Sequence, residues 1–582
     1  MQNSKSRWFG LVFISMAISL VIIDGTIVNT IFPSLSQSLS LTDTDVQWVQ
    51  ESYVLVFASM LLVWGSLADR FGRRAMLVLG LVIFVAASIW AGLSHEAWTL
   101  ILARVAQGVG GAMVLPTTLS LVNANFVGKE RGIAFAVWGA TIGGMVAVGP
   151  VLGGWLTTVS WKLTLFSTVI STWRWAFWVN LPFGLIVVIG LLLLVKESKQ
   201  EQRAGGIDWL GALLAALGFF TLTFGLIEGR SLGWWAQGKA LKIGNYTWPS
   251  DSISIIPIIL MLSLVLFFVF IKWEQVRDKA HKNVLLDLNL FKISSFRNGS
   301  IAALIISMGE FGLIFAIPLW LQNITGLNAF NSGMVLLWLA GGAFIGSGAV
   351  GGLSGKLSPV MAVRLGVLLE IVGIVGLGIF ANSDKGWGSI AAWLCVYGLG
   401  VGIATAQLTG VIMQDVPLEK VGQGSGTQST ARQVGSALGI AVLGTVLFTG
   451  ITAHTSSQIT GMAEFNSYPK SQVQQLGDKV GQIVSTSQGG VVPSLSMLLQ
   501  YEGVPQQFAD PMQSAAQRGF TDAVKTTAYA AAGFLAIGLA ATYTIQGRRP
   551  EDELVVEGVD LNKDEPQRDP DLYDTTDPAE QD

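Results

Sequence analysis

Five charged side chains interrupt apolar runs in which water is scarce. Asp24 breaks Leu20-Val-Ile-Ile-Asp24-Gly-Thr-Ile-Val28, Glu51 follows Trp48-Val-Gln, and Arg104 follows Leu100-Ile-Leu-Ala. Further along, Glu310 sits in Ser307-Met-Gly-Glu310-Phe-Gly and Glu370 in Leu368-Leu-Glu370-Ile. A charge in hydrocarbon is costly, so each is a functional candidate. A carboxyl in such a place can take up and release a proton near neutral pH. Asp24 would hold a proton or a cationic substrate, but not both at once. Arg104 would stabilise the ionised form and let it go as geometry changes. Against this stands a static buried ion pair that orients helices. For Glu310 and Glu370 the alternative is a neutral structural carboxyl.

The elements that position these groups follow from composition. The chain has 582 residues, 51% hydrophobic and 13% charged, where a soluble protein carries about 25% charged residues. Its 68 glycines and 20 tryptophans suit membrane helices, which pack through Gly and place Trp at interfaces. Fourteen candidate spans centre in 8–32, 46–67, 75–93, 97–120, 133–157, 176–195, 208–228, 252–272, 298–321, 330–353, 359–381, 388–412, 430–450 and 523–546, each near the roughly 20 residues a span needs. The expected fold is an all-α polytopic membrane protein: two six-helix bundles, 8–195 and 298–546, joined by two linker helices within 208–272. Lys5 and Arg7 precede an apolar run too long for a signal peptide, so that run reads as an uncleaved first span.

Basic residues orient the chain. Lys5, Arg7, Arg70, Arg73, Arg74, Lys129, Arg131, Lys196, Lys199, Arg203, the cluster from Lys272 to Arg297, Lys356, Arg364, Lys420 and Arg432 fall on one side, and far fewer on the other. Both termini are therefore expected in the cytoplasm. On that topology Asp24, Glu51 and Arg104 lie about 12, 8 and 10 Å below the outer surface, at about 1.5 Å of rise per residue. Three charges from three helices then share one layer. Glu228, near an outer span end, reads as solvated.

Three stretches depart from the span pattern. Residues 158–175 are apolar but too short to cross. Residues 451–522 read as a long extracytoplasmic loop, rich in Ser, Gln and Gly, with Val473, Leu476, Val480 and Ile483 at helical spacing. The tail 547–582 carries thirteen acids and four bases, a net of −9 that leaves +6 for the rest of the −3 chain. It is expected to be a disordered cytoplasmic tail.

Gly65-Ser-Leu-Ala-Asp69-Arg70-Phe-Gly72-Arg73-Arg74 packs an acid and three arginines between two spans. Asp69 can pair with a facing arginine or with the N-terminus of a neighbouring helix. Arg70, Arg73 and Arg74 can bridge to the other bundle or to lipid phosphates. The segment reads as a cytoplasmic gate latch, with a plain topology anchor as the alternative. Gly139, Gly143, Gly149, Pro150, Gly153 and Gly154 would let the fifth span pack closely and bend. Asp208 reads as a helix cap.

These motifs resemble the major facilitator superfamily, specifically its fourteen-helix drug:proton antiporter branch. The Gly65–Arg74 loop is similar to the signature between spans 2 and 3. Arg104-Val-Ala-Gln107-Gly108-Val-Gly110-Gly-Ala112 is similar to the span 4 signature, and Gly149-Pro150-Val-Leu-Gly153-Gly154 to the end of the antiporter signature in span 5. Asp24-Gly-Thr26-Ile-Val28-Asn29-Thr-Ile-Phe-Pro33 and Trp173-Arg174-Trp175-Ala-Phe177-Trp-Val-Asn180-Leu-Pro182-Phe-Gly184 look like that branch's first span and its entry to the sixth. The resemblance covers residues 8–450 and the last span. It implies a bacterial source and multidrug efflux.

No metal-ligand spacing, phosphate-cradling loop or nucleophile triad stands out. His95, His281 and His454 are scattered, and Cys395 is the single cysteine. The reading is a transporter of the plasma (inner) membrane, not an enzyme. It needs no cofactor beyond a proton gradient and no nucleic acid. Its substrate is a small amphipathic or cationic drug, exported by alternating access in exchange for protons, and its surroundings are membrane lipids. The alternative is an exporter of lipid or cell-envelope precursors that uses the 451–522 loop, where an extracytoplasmic partner could dock.

Overall fold

The computed structural model describes residues 4–41, 43–158, 164–165, 168–169, 172–198, 206–243, 246–250, 252–353 and 357–545. The chain is built from helices α1 (Ser4–Leu39), α2 (Asp43–Phe71), α3 (Arg73–Leu93), α4 (Ala97–Asn125), α5 (Gly128–Thr158), α6 (Trp175–Trp178), α7 (Asn180–Leu194), α8 (Trp209–Leu232) and α9 (Ile255–Lys279). It continues through α10 (Ser294–Asn323), α11 (Ala329–Leu353), α12 (Pro359–Phe380), α13 (Ala391–Met413), α14 (Val421–Thr460), α15 (Lys470–Thr486), α16 (Leu495–Tyr501) and α17 (Gln506–Thr542). Two short antiparallel hairpins lie in connections: Thr164 opposite Val169, and Leu241–Ile243 against Tyr246–Trp248. Of the short apolar piece expected over 158–175, the described residues are the end of α5, the first hairpin, the 3-10 turn Thr172–Arg174 and the start of α6. The acidic tail lies outside the described residues.

Fourteen stretches among the described residues are long and apolar enough to span a membrane: α1 to α5, Thr172–Leu194 (α6 with α7), α8 to α14, and α17. Helices α1 to α5 and α7 pack into one bundle, α10 to α14 and α17 into the second. Helices α8 and α9 pair with each other, and α8 also rests on α2 and α14. The bundles meet where α5 packs on α11 and α13, and where α2 packs on α14. Lipid supplies no hydrophobic drive for helices to associate, so small residues that let backbones approach do much of this work.

Helix α5 shows how. Added side-chain atoms at Gly149 and Gly153 would collide with Thr26 and Thr30 of α1. On its other side Gly139 faces Ala406 of α13, Gly143 faces Ala343 of α11, and Gly154 lies 2.6 Å, from a notional Cβ, to the Phe330 Cα. Pro150 is inside α5 and, with Val151, abuts Gly333 of α11.

Two span boundaries differ from expectation, and with them the long loop. Helix α14 runs 40 residues, well past 430–450, and α17 begins at Gln506 rather than 523. The extensions are rich in Ala, Ser, Thr and Gln, too polar to read as a span, and are helical because they pack against their neighbours. Ala509, Met512, Ala516 and Phe520 of α17 are buried. Residues 451–522 are thus largely helical, resting on α14 and α17. Within α15, Val473, Val480 and Val484 are buried, whereas Ile483 points out. Val473, Leu476 and Val480 face inward as the spacing predicts, and only at the last turn does Val484 take the place expected of Ile483.

Candidate functional site

Asp24 and Arg104 meet inside the first bundle. Arg104 Nη1 donates to Asp24 Oδ2 at 2.5 Å, and both side chains have 0% exposure. Gln107 of α4 donates to Asp24 Oδ1 at 3.0 Å, and Asn180 of α7 does so at 2.9 Å. Both amides also donate to Ser88 Oγ of α3. Gln107 Oε1 accepts from Arg104 Nη1 at 2.8 Å. Arg104 Nε donates to the Val49 carbonyl of α2, and its guanidinium lies 4.2 Å from the Tyr53 ring centre. Five helices contribute to one network, with α4 and α7 touching the carboxylate itself. Among the described residues its Arg partner keeps one unpartnered group, Nη2.

Gln107, Asn180 and Ser88 were not singled out by charge, because they carry none. Gln107 and Asn180 do stand inside the motifs quoted above. Their amides both donate to Asp24 Oδ1 while Arg104 holds Oδ2, so both oxygens of the carboxylate are hydrogen-bonded by protein groups.

Glu51 does not join this pair, contrary to the shared layer expected. Val49 and Tyr53 are one turn apart and face Arg104, so Glu51, two positions from each, points elsewhere on α2. Gln47 donates to Glu51 Oε1 at 2.9 Å and to Glu228 Oε1 of α8 at 3.3 Å. Glu51 Oε2 is buried without a hydrogen-bond partner among the described residues. Glu228, expected in solvent, is 5% exposed. The two acids share one amide across the junction of the first bundle and the linker pair.

In the second bundle Glu310 lies 3.6 Å from Arg432. Arg432, expected in a cytoplasmic segment, stands eleven residues into α14, about 16 Å from its start. The expectation failed because Val421-Gly-Gln-Gly-Ser-Gly-Thr-Gln is too polar to read as a span. Glu370 of α12 is 0% exposed, and among the described residues neither of its oxygens finds a partner. The Tyr397 hydroxyl of α13 donates to the Glu310 carbonyl at 3.2 Å.

The Gly65–Arg74 segment bridges the bundles. Asp69 accepts from the backbone N–H groups of Gly422 at 2.9 Å and Gln423 at 3.1 Å, so it caps the N-terminus of α14. Arg73 binds Asp69 Oδ1 at 2.7 Å and the Leu418 carbonyl at 2.8 Å. Above them Gly65 packs on backbone, its notional Cβ 2.7 Å from both Gly422 O and Gly426 Cα. Gly72, at φ 107°, turns the chain from α2 into α3, a conformation that favours glycine. Arg74 turns back to its own bundle, where Nη1 donates to the Val195 carbonyl. Glu197, which sequence reasoning passed over, accepts from the Arg74 and Ala75 N–H groups and caps α3. Arg70 lines a polar cavity of about 450 Å³ with Asp278, Lys282 and Lys420.

The linker pair adds to the same face. Asp287 binds Lys420 and accepts from Asn289 N–H, while its own N–H donates to Gln423. Burial raises the Asp287 pKa, but the Lys420 and Asn289 hydrogen bonds outweigh it and hold this carboxyl below its ordinary value. Asp208 caps α8 through Gly211 N–H and also binds Arg277 and Trp273 of α9.

The Major Facilitator Superfamily model matches residues 14–440. Among similar proteins, the tetracenomycin C resistance and export protein of Streptomyces glaucescens is 28% identical over 441 residues, 76% of each chain. The multidrug resistance protein Stp of Mycobacterium tuberculosis is 29% identical, covering 77% of this chain and 78% of that one. The puromycin resistance protein pur8 of Streptomyces alboniger is 32% identical, covering 77% and 83%. The fold is similar to the human organic anion transporter MFSD10 at TM-score 0.52 and 12% identity, covering 84% of this chain and 98% of that one. With a charge network in each of two six-helix bundles and this match across most of its length, the chain is a multi-pass membrane protein that belongs to the Major Facilitator Superfamily.

Proposed function

We propose that this protein exports small amphipathic or cationic molecules in exchange for protons, by alternating access, with the Arg70–Arg74 face toward the cytoplasm. The observation that carries the reading is the sealed Asp24–Arg104 pair. Protonating Asp24 removes the counter-charge of a guanidinium that water does not reach. Breaking a buried pair from one side costs about 3–5 kcal/mol, so proton uptake and movement of α1 against α4 are linked. The resistance and export functions named for the relatives support the substrate class.

The cross-bundle cap supplies the gate. Opening the Arg70–Arg74 face must release Gly422 and Gln423 from Asp69, and Leu418 from Arg73. Water can replace these bonds as the face opens, which makes them reversible, as rocking of one bundle against the other requires. In everted membrane vesicles energised by an imposed pH gradient, accumulation of an amphipathic cationic dye should be lost in Asp24→Asn. Wild-type accumulation in that variant would refute the coupling role.

A further inference from the structure

We infer that the second bundle holds its own proton site, in which Glu370 carries a proton while Glu310 neutralises Arg432. Four helices build it. Glu310 comes from α10, Glu370 from α12, Tyr397 from α13 and Arg432 from α14. From α17, which also packs on α12, Tyr529 lies against Gly378, two turns from Glu370.

Charge accounting decides the occupancy. The cluster contains two carboxyls and one guanidinium. Arg432 lies 3.6 Å from Glu310 Oε2 and donates to the Thr405 hydroxyl. Tyr397 links the two acids: its backbone packs on Gly373, one turn from Glu370, and its hydroxyl donates to the Glu310 carbonyl, yet among the described residues no donor contacts either Glu370 oxygen. A carboxylate with no hydrogen bond and no water is among the most costly groups a protein can bury. The ionised form of Asp24 receives three donors; Glu370 receives none. With one proton on Glu370 the cluster is electrically neutral.

That proton is exchangeable because the site is next to space. Glu310 and Arg432 line a small cavity with Ser307 and Thr405, about 10 Å³ in volume, near the least that holds one water. When the cavity hydrates, water stabilises the second carboxylate and the cluster gives up its proton through Glu310, which lines the cavity where Glu370 does not. When the cavity seals, one carboxyl must take a proton back. Gly400 of α13 leaves the room Glu370 occupies: a Cβ there would come 2.7 Å from Glu370 Cγ. The exchange part of this inference rests on the exporter reading; the resting protonation does not.

Infrared difference spectroscopy of the purified protein at neutral pH tests the resting state. Glu370→Gln should remove a protonated-carboxyl C=O band. Glu310→Gln should remove the same band, since Glu370 then ionises to pair with Arg432. Arg432→Gln should strengthen it, since both carboxyls then hold protons. Loss of an ionised-carboxylate band in Glu370→Gln, or an unchanged band in Glu310→Gln, would overturn the assignment. For exchange, protons released on binding of a cationic dye should fall by one per dye in Glu370→Gln, and an unchanged count would overturn that part. Wild-type protein that exports no dye while the Glu370 band persists would sink the exporter reading alone.

Discussion

The Asp69 carboxylate of α2 accepts the Gly422 N–H at 2.9 Å, so an acid of the first bundle caps the helix that carries Arg432 in the second. Helix N-termini hold partial positive charge, and a capping acid satisfies donors that would otherwise be orphaned. One carboxylate thus reports whether the bundles touch at this face.

Asp69→Ala should shift the balance toward the state open at that face. A lost cap costs about 1–2 kcal/mol, or about 5–30-fold in population. Spin labels on the ends of α3 and α12 at this face would report the change as a distance distribution. No shift would mean that the cap follows closure without favouring it.

Gly65→Leu should abolish export. Its side chain meets backbone atoms of Gly422 and Gly426, which cannot rotate away. A variant that stays monodisperse in detergent yet transports normally would show that α2 and α14 need not close this tightly.

The Glu51–Gln47–Glu228 group predicts coupling between the first bundle and the linker pair. Thermal midpoints of Glu51→Gln, Glu228→Gln and the double variant should be non-additive by about 0.5–3 kcal/mol, as for residues sharing a partner. Additivity within about 0.5 kcal/mol would place the acids in separate environments.

The Asp287–Lys420 contact predicts a pH dependence with a definite sign. Asp287 is held below its ordinary pKa. Its contribution is therefore complete above the ordinary carboxylate range and is lost only as pH falls through the lower folded-state value. Lys420→Ala should loosen the Leu285–Asp287 segment to proteolysis equally at pH 6 and pH 8. A wild-type protein already loosened at pH 6 would contradict this.

Much of the site was legible in the sequence because charges are rare in apolar runs. Asp24, Arg104, Glu310 and Glu370 stand out for that reason, and Asp69 for its place in a short basic loop. Two errors share another cause. Arg432 and Glu228 were assigned to water because a window of hydropathy ends a span where glycine, serine and glutamine begin. Helix α14 continues through such residues because its backbone packs on α2. Glu51 was placed by depth alone, and depth does not say which face of a helix a side chain occupies. The uncharged partners Ser88, Gln107, Asn180 and Gln47 become visible only when several helices converge.

The most direct test of the account is proton release. Purified wild-type protein in weakly buffered solution should release protons when an amphipathic cationic dye such as ethidium is added, because dye and proton compete. Asp24→Asn should release fewer protons per dye than wild type. Proton release undiminished in that variant would contradict the claim that the Asp24–Arg104 pair couples export to the proton gradient.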